Sequence, residues 1–189
     1  MKRTLLLAGL AMTLITGCVV TSVYPYYTPK DVTFDPTLIG VWVNADKSGD
    51  DDATWTFGSN APQTYKLVIA DKDKKSEFDV RLFKLGGQLF MDCLPRERHD
   101  YSIPAHILLR VSSIQPTLQM QPLNHKWLEE WVEENPKAIR HIVIPKSDDK
   151  QSNDMDLVLT ANTAELQKFI LKHLKTKEAW HDPMVMKRQ

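Results

Sequence analysis

Histidine, aspartate and cysteine are the side chains of this chain that could bind a metal ion, and their spacing decides whether they do. Six histidines lie between His99 and His181, and none is paired at the four-residue spacing that puts two imidazoles on one helix face. Asp92, His99 and His106 would meet only if two hairpins brought them together. We therefore predict neither a metal site nor a cofactor.

The segment 44–55 has the spacing of a calcium-binding loop over most of its length. Oxygen-bearing side chains occupy alternating positions, and Gly49 stands at the sixth. The twelfth position, where such a loop needs a glutamate that binds through both oxygens, is Trp55. We interpret the segment as a polar turn between two strands.

Cys93 is the candidate nucleophile, because a thiol becomes reactive beside a base or a positive charge. The predicted strand pairing places no such group beside it, so we expect a buried thiol that acts as a small hydrophobic side chain. The chain has no Gly-x-Ser-x-Gly elbow, phosphate-binding loop, dinucleotide fingerprint or Cys-x-x-Cys pair. We predict no catalytic residue; an enzyme would require histidine, aspartate and Cys93 to converge in one pocket.

The first residues have the pattern of a secretory signal. Lys2 and Arg3 precede an apolar run over residues 5–15, which is too short for a permanent transmembrane helix. Ile15-Thr16-Gly17-Cys18 resembles the bacterial lipobox. That resemblance implies cleavage between Gly17 and Cys18, with residues 1–17 as the signal peptide.

The same resemblance implies that Cys18 becomes an acylated first residue. A diacylglyceryl group with a further acyl chain would give stable membrane anchoring. Val19 follows the cysteine, where a lipoprotein retained in the inner membrane would usually carry aspartate. The expected location is therefore the periplasmic face of an outer membrane.

Composition narrows the expected partners and the number of domains. Lysine plus arginine and aspartate plus glutamate each number 24, so no overall charge attracts nucleic acid. Residues 18–36 contain Tyr24-Pro25-Tyr26-Tyr27-Thr28-Pro29 and are interpreted as a lipidated tether, although the tyrosines could equally contact headgroups or pack on the domain. Residues 37–189 are then one domain.

The body of the chain is rich in predicted strands. Short β-branched or aromatic runs alternate with Gly, Pro, Asp and Asn, and they fall at 41–44, 54–57, 64–71, 77–85, 88–94, 106–114, 117–123, 139–144 and 156–160. This pattern predicts a mainly β protein with two helices. Its antiparallel meander closes into a barrel, with one inserted and one C-terminal helix.

Gly86-Gly87 predicts the register of one hairpin, because a two-residue glycine loop adopts the positive φ angles of the primed turns. The implied cross-strand pairs are Leu82 with Met91, Val80 with Cys93, Arg81 with Asp92, and Phe83 with Phe90.

Gly40-Val41-Trp42 resembles the Gly-x-Trp opening of the lipocalins. In that family the tryptophan plugs the closed end of an eight-stranded barrel, and a helix follows the last strand. The resemblance implies a lipocalin-like barrel from residue 36 to about residue 176. Segments around Pro104-Ala105-His106 and residues 159–166 also resemble domains of uncharacterised bacterial envelope proteins.

Two amphipathic helices are predicted. In residues 125–135, capped by Asn124, Trp127 and Trp131 lie on the apolar stripe. Either they dock the helix on the barrel, or the helix is a lid over the barrel mouth with an acidic outer face for a basic partner. The second helix begins near Asn162 and has an exposed lysine side, either solvated or touching headgroups.

The function expected from these features is non-catalytic binding by an outer-membrane lipoprotein. One hypothesis is an apolar small molecule inside the barrel, which requires a cavity that side chains do not fill. The other is an assembly or inhibitory module with a solid core that binds an envelope protein. Trp42, Trp127 and Trp131 are the candidate contact residues.

Overall fold

The computed structural model describes residues 19–46, 53–72, 74–97, 103–145 and 155–189. Cys18 and the rest of the predicted signal and lipidation site, half of the calcium-like loop, and His99 lie outside these ranges. Within the described part of the chain, no helix is both long and apolar enough to cross a bilayer.

Twelve strands and two α-helices make up the described fold. Their bounds are β1 Thr21–Ser22, β2 Val32–Thr33, β3 Gly40–Asn44, β4 Thr54–Ala61, β5 Thr64–Asp71, β6 Lys74–Leu85, β7 Gln88–Pro95, β8 His106–Ser113, β9 Thr117–Pro122, α1 His125–Glu134, β10 His141–Pro145, β11 Met155–Leu159, α2 Thr163–His173 and β12 Met184–Arg188.

Eight of these strands form a closed antiparallel barrel, as the sequence predicts. The meander β3 to β9 closes because β12 inserts between β3 and β9 while β9 also pairs with β8. The Gly86-Gly87 hairpin has the predicted register, with Val80 opposite Cys93 and Leu82 opposite Met91. Both glycines have positive φ angles, which explains why this turn needs them.

The structure corrects the assignment of the last barrel strands. β10 and β11, which were expected within the barrel, form a side sheet that joins β8 through β1. The barrel is closed instead by β12, which lies beyond the C-terminal helix and was not predicted.

The described part of the segment expected to be a tether packs on the barrel from Val19 onward. Val20 and Tyr26 are almost fully buried, β1 pairs with β8, and β2 pairs with β6. Of the alternatives for its tyrosines, packing on the domain is the one observed for Tyr26.

Two apolar cores lie on opposite sides of the barrel wall, because successive residues of a strand face opposite ways. The inner core fills the barrel and includes Trp42, Trp55, Phe57 and Cys93. The outer core lies between the wall and the helices, side sheet and N-terminal segment, where Phe83, Phe90 and Leu108 meet the buried faces of α1 and α2. The helices therefore pack on the side of the barrel.

Candidate functional site

The barrel interior is filled by side chains. A cavity of about 10 Å³ remains there, and it is lined by Trp55, Leu67, Ile69, Phe78, Cys93, Ile107 and Leu109. Such a volume is about the minimum that holds one water molecule, and drug-sized ligands need roughly 300 Å³ or more. The eight-stranded barrel is compatible with a lipocalin-like binding domain, but this cavity, lined by described residues of the inner core, is too small for a small apolar ligand.

Trp42, the first candidate contact residue, lies at one end of the barrel and is fully buried. Its indole N–H donates to the carbonyl of Leu38 at 2.8 Å, and the guanidinium of Arg188 lies over its ring. Trp42 thus belongs to the inner core; that it plugs the barrel, as the Gly-x-Trp resemblance implies, stays a prediction. Trp42 is also separated from Trp127 and Trp131, which pack against the outer core.

Trp127 and Trp131 lie where α1 meets α2. Asn124 caps α1 as predicted, accepting hydrogen bonds from the backbone N–H groups of Lys126 and Trp127. Both indole rings contact Phe169 and His173 of α2 at centroid distances between 4.9 and 6.3 Å. The two tryptophans therefore dock α1 on α2, and the alternative of a lid over the barrel mouth is wrong.

A groove of about 410 Å³ opens beside this aromatic contact, and we call it the helix groove. Its residues come from the end of α1, from the loop before β10 and from α2, and they are Trp131, Lys137, Ala138, Ile139, Arg140, Glu165, Lys168, Phe169 and Lys172. Its volume is within the range of small-molecule sites.

Local structure positions the two sides of the helix groove. The Asn162–Glu165 capping box begins α2 as predicted, and the backbone N–H groups of Thr160 and Ala161 donate to the carbonyl of Arg140. Arg140 in turn donates to Glu165 at 2.7 and 3.1 Å. These contacts hold the loop before β10 against the start of α2.

The helix groove is lined mainly by cationic side chains, and its floor is aromatic. Four of its side chains are cationic and one, Glu165, is anionic. The pKa of Glu165 is lowered, mainly by the hydrogen bond that it accepts from Arg140. Trp131 and Phe169 meet edge to face at 5.2 Å, and the ammonium of Lys172 lies 5.4 Å from the centre of the Trp131 ring. The sequence predicted an acidic face on α1 and a lysine side on α2, and the groove beside Trp131 has the positive charge of the lysine side.

Asp92 and His106, which the sequence could bring together only through the packing of two hairpins, do meet, and they form a buried link. His106 Nδ1 lies 2.7 Å from Asp92 Oδ1, and the backbone N–H of Tyr26 donates to the other carboxylate oxygen at 3.0 Å. Ser22, opposite His106 across β1 and β8, is also fully buried. These contacts attach the N-terminal segment to the barrel.

Cys93 does not join this cluster, since it faces the inner core while Asp92 faces the outer one. Burial, and secondarily the charge of Asp92, raises the pKa of its thiol. In the described part of the chain, no three histidine, cysteine, aspartate or glutamate side chains are grouped closely enough to hold a metal ion.

Sequence reasoning missed the grouping of the cationic groove residues. Lys168 and Lys172 belong to the lysine side of the second helix, whereas Lys137 and Arg140 lie in the loop after Pro136. Their proximity depends on how that loop packs on α2, for which no local pattern exists. Searches against protein-family models, curated proteins and solved structures each found no match for this chain.

Proposed function

We propose that this chain is a lipid-anchored, non-catalytic interaction module of the bacterial envelope, in which a solid lipocalin-like barrel carries its binding site on the outside, in the helix groove. The observation that carries the proposal is the contrast between about 10 Å³ of space inside the barrel and about 410 Å³ in the groove. A ligand enters existing space at the groove, whereas entry into the barrel would require repacking a dense core.

The anchor of the proposed module is an acyl group on Cys18, which the lipobox resemblance supports. The proposed location is the periplasmic face of the outer membrane, and the proposed partner is another envelope component. Mass spectrometry of the N-terminal peptide should detect the acyl mass. A Cys18→Ser chain should leave the membrane fraction, and its retention there would contradict the anchor.

The binding site is tested by photo-crosslinking from the full chain in its native envelope. A photoreactive amino acid at Ala138, an exposed and uncharged position on the groove, should give a discrete adduct whose yield falls with Trp131→Ala. The matched control position is Thr56, an exposed residue of β4 on the barrel wall away from the helices. Equal adducts from the two positions would contradict the groove as the site.

A further inference from the structure

We propose that the helix groove binds a phosphate monoester, carried by a membrane lipid or by a soluble molecule, with the apolar body of the ligand against Trp131 and Phe169. This inference rests on the proposed function, which places a ligand in the groove without defining its chemistry.

The first support is uncompensated positive charge. Glu165, the carboxylate among the groove residues, already forms an ion pair with Arg140. Within the described ranges, Lys137 and Lys168 have no carboxylate partner, and Lys168 and Lys172 are four residues apart on α2. Like charges at this spacing repel one another, so an anion between them relieves the repulsion.

A phosphate monoester matches this charge better than a single carboxylate does. It has a charge of about −1.5 to −2 near pH 7 and three strong acceptor oxygens. Ammonium groups can approach these oxygens from several directions, because a lysine acts as a point charge with rotatable donors. A lone carboxylate would leave most of the excess charge of the groove uncompensated.

The second support is the apolar surface beside the cations. Trp131 is only partly buried and lies on the groove with Phe169. An aromatic floor next to the charges provides a place for the uncharged part of the ligand, because ligand sites combine apolar lining with a few convergent polar groups. The geometry therefore points to an amphiphilic phosphate monoester.

Binding can be measured by calorimetry on the full chain in neutral detergent, with four probes at monomeric concentrations. Dihexanoyl phosphatidic acid should bind, while dihexanoylglycerol and hexanoate should bind at least about tenfold more weakly, since the groove selects the phosphate. Inorganic phosphate distinguishes the source: binding comparable to that of the phospholipid indicates a soluble ligand, and much weaker binding indicates a lipid. Added salt should weaken every phosphate interaction.

Matched variants test whether the phosphate probe binds in the helix groove. The double variant Lys168→Gln, Lys172→Gln should lose about tenfold or more in affinity for the phospholipid, whereas Lys175→Gln, an exposed lysine of the same region outside the groove, should not. Circular dichroism checks that each variant is folded. An unchanged affinity in the double variant, equal binding of dihexanoylglycerol or hexanoate, or no binding of either phosphate probe would overturn the inference.

Failure of the phosphate inference is distinguishable from failure of the proposed function. If the photoreactive residue at position 138 still gives an adduct that depends on Trp131 but no phosphate probe binds, the groove is a site for other chemistry, such as an acidic peptide. If that adduct is absent as well, the proposed function fails.

Discussion

The guanidinium carbon of Arg188 lies 5.5 Å from the ring centre of Trp42, so that a residue of the last strand covers the buried indole of the first barrel strand. The same guanidinium donates to the carbonyls of Thr37 and Ile39. One side chain thus joins β12, the indole and the turn that leads into β3.

Replacing Arg188 tests this link. Arg188→Met should lower the free energy of unfolding by about 1 kcal/mol, because an exposed cation–π contact and hydrogen bonds to two carbonyls are lost. Urea unfolding followed by tryptophan fluorescence measures the change. Lys187→Met removes the same charge without this contact and should have a smaller effect; equal effects would contradict the link.

Replacing only one residue of the buried Asp92–His106 pair should strongly lower the free energy of unfolding. His106→Leu leaves the Asp92 carboxylate in the outer core without its imidazole partner, and we expect a loss of about 3–5 kcal/mol in the free energy of unfolding. Replacing both residues with leucine should cost less than the sum of the two single changes. Strict additivity in a double-mutant cycle would show that the two side chains are not coupled.

The thiol of Cys93 should be unreactive in the folded protein. Its side chain is in the inner core, and burial raises its pKa, so little thiolate is present and the reagent cannot reach it. In a Cys18→Ser chain, a disulfide reagent should label Cys93 only after urea unfolds the protein. Rapid labelling of the folded chain would show that the barrel opens or that the interior is accessible.

Stability should fall on mild acidification because of His173. Burial, and secondarily the charge of Lys172, lowers the pKa of His173 from its ordinary 6.5. The unfolded chain therefore takes up this proton at a higher pH than the folded chain does. The free energy of unfolding should decrease as the pH falls below 6.5 and level off below the folded pKa.

The variant His173→Phe keeps an aromatic ring in contact with Trp127 and Trp131 and removes the titrating group. It should reduce the dependence of stability on pH between about pH 5 and about pH 8. Some dependence should remain, because burial and the charge of His125 lower the pKa of His181 as well. An unchanged slope of stability against pH would exclude His173 as a source.

Local patterns predicted the parts of this fold that depend on neighbouring residues. The Gly86-Gly87 turn determines the pairing of β6 and β7, and the side chains of Asn124 and Asn162 determine where the helices begin. Each of these features is stabilised within a few residues of sequence, which is why the sequence alone was sufficient.

Pairing between segments that are distant in sequence could not be predicted from such local patterns. β12 is five residues long and pairs with β3 and β9, both distant in sequence, and β1 is a two-residue strand in a proline-rich segment. The helix groove was missed for the same reason, since Lys137 reaches the lysines of α2 only through tertiary packing.

The position of β12 has a consequence for the order of folding. Met184–Arg188 stands between β3 and β9, two strands that are far from it in sequence, so pairing of neighbouring strands alone cannot close the ring. Each hairpin of the meander joins residues that are close in sequence, whereas closure joins distant residues and has the larger entropic cost. Ring closure is therefore expected to come late in folding, after the hairpins have formed.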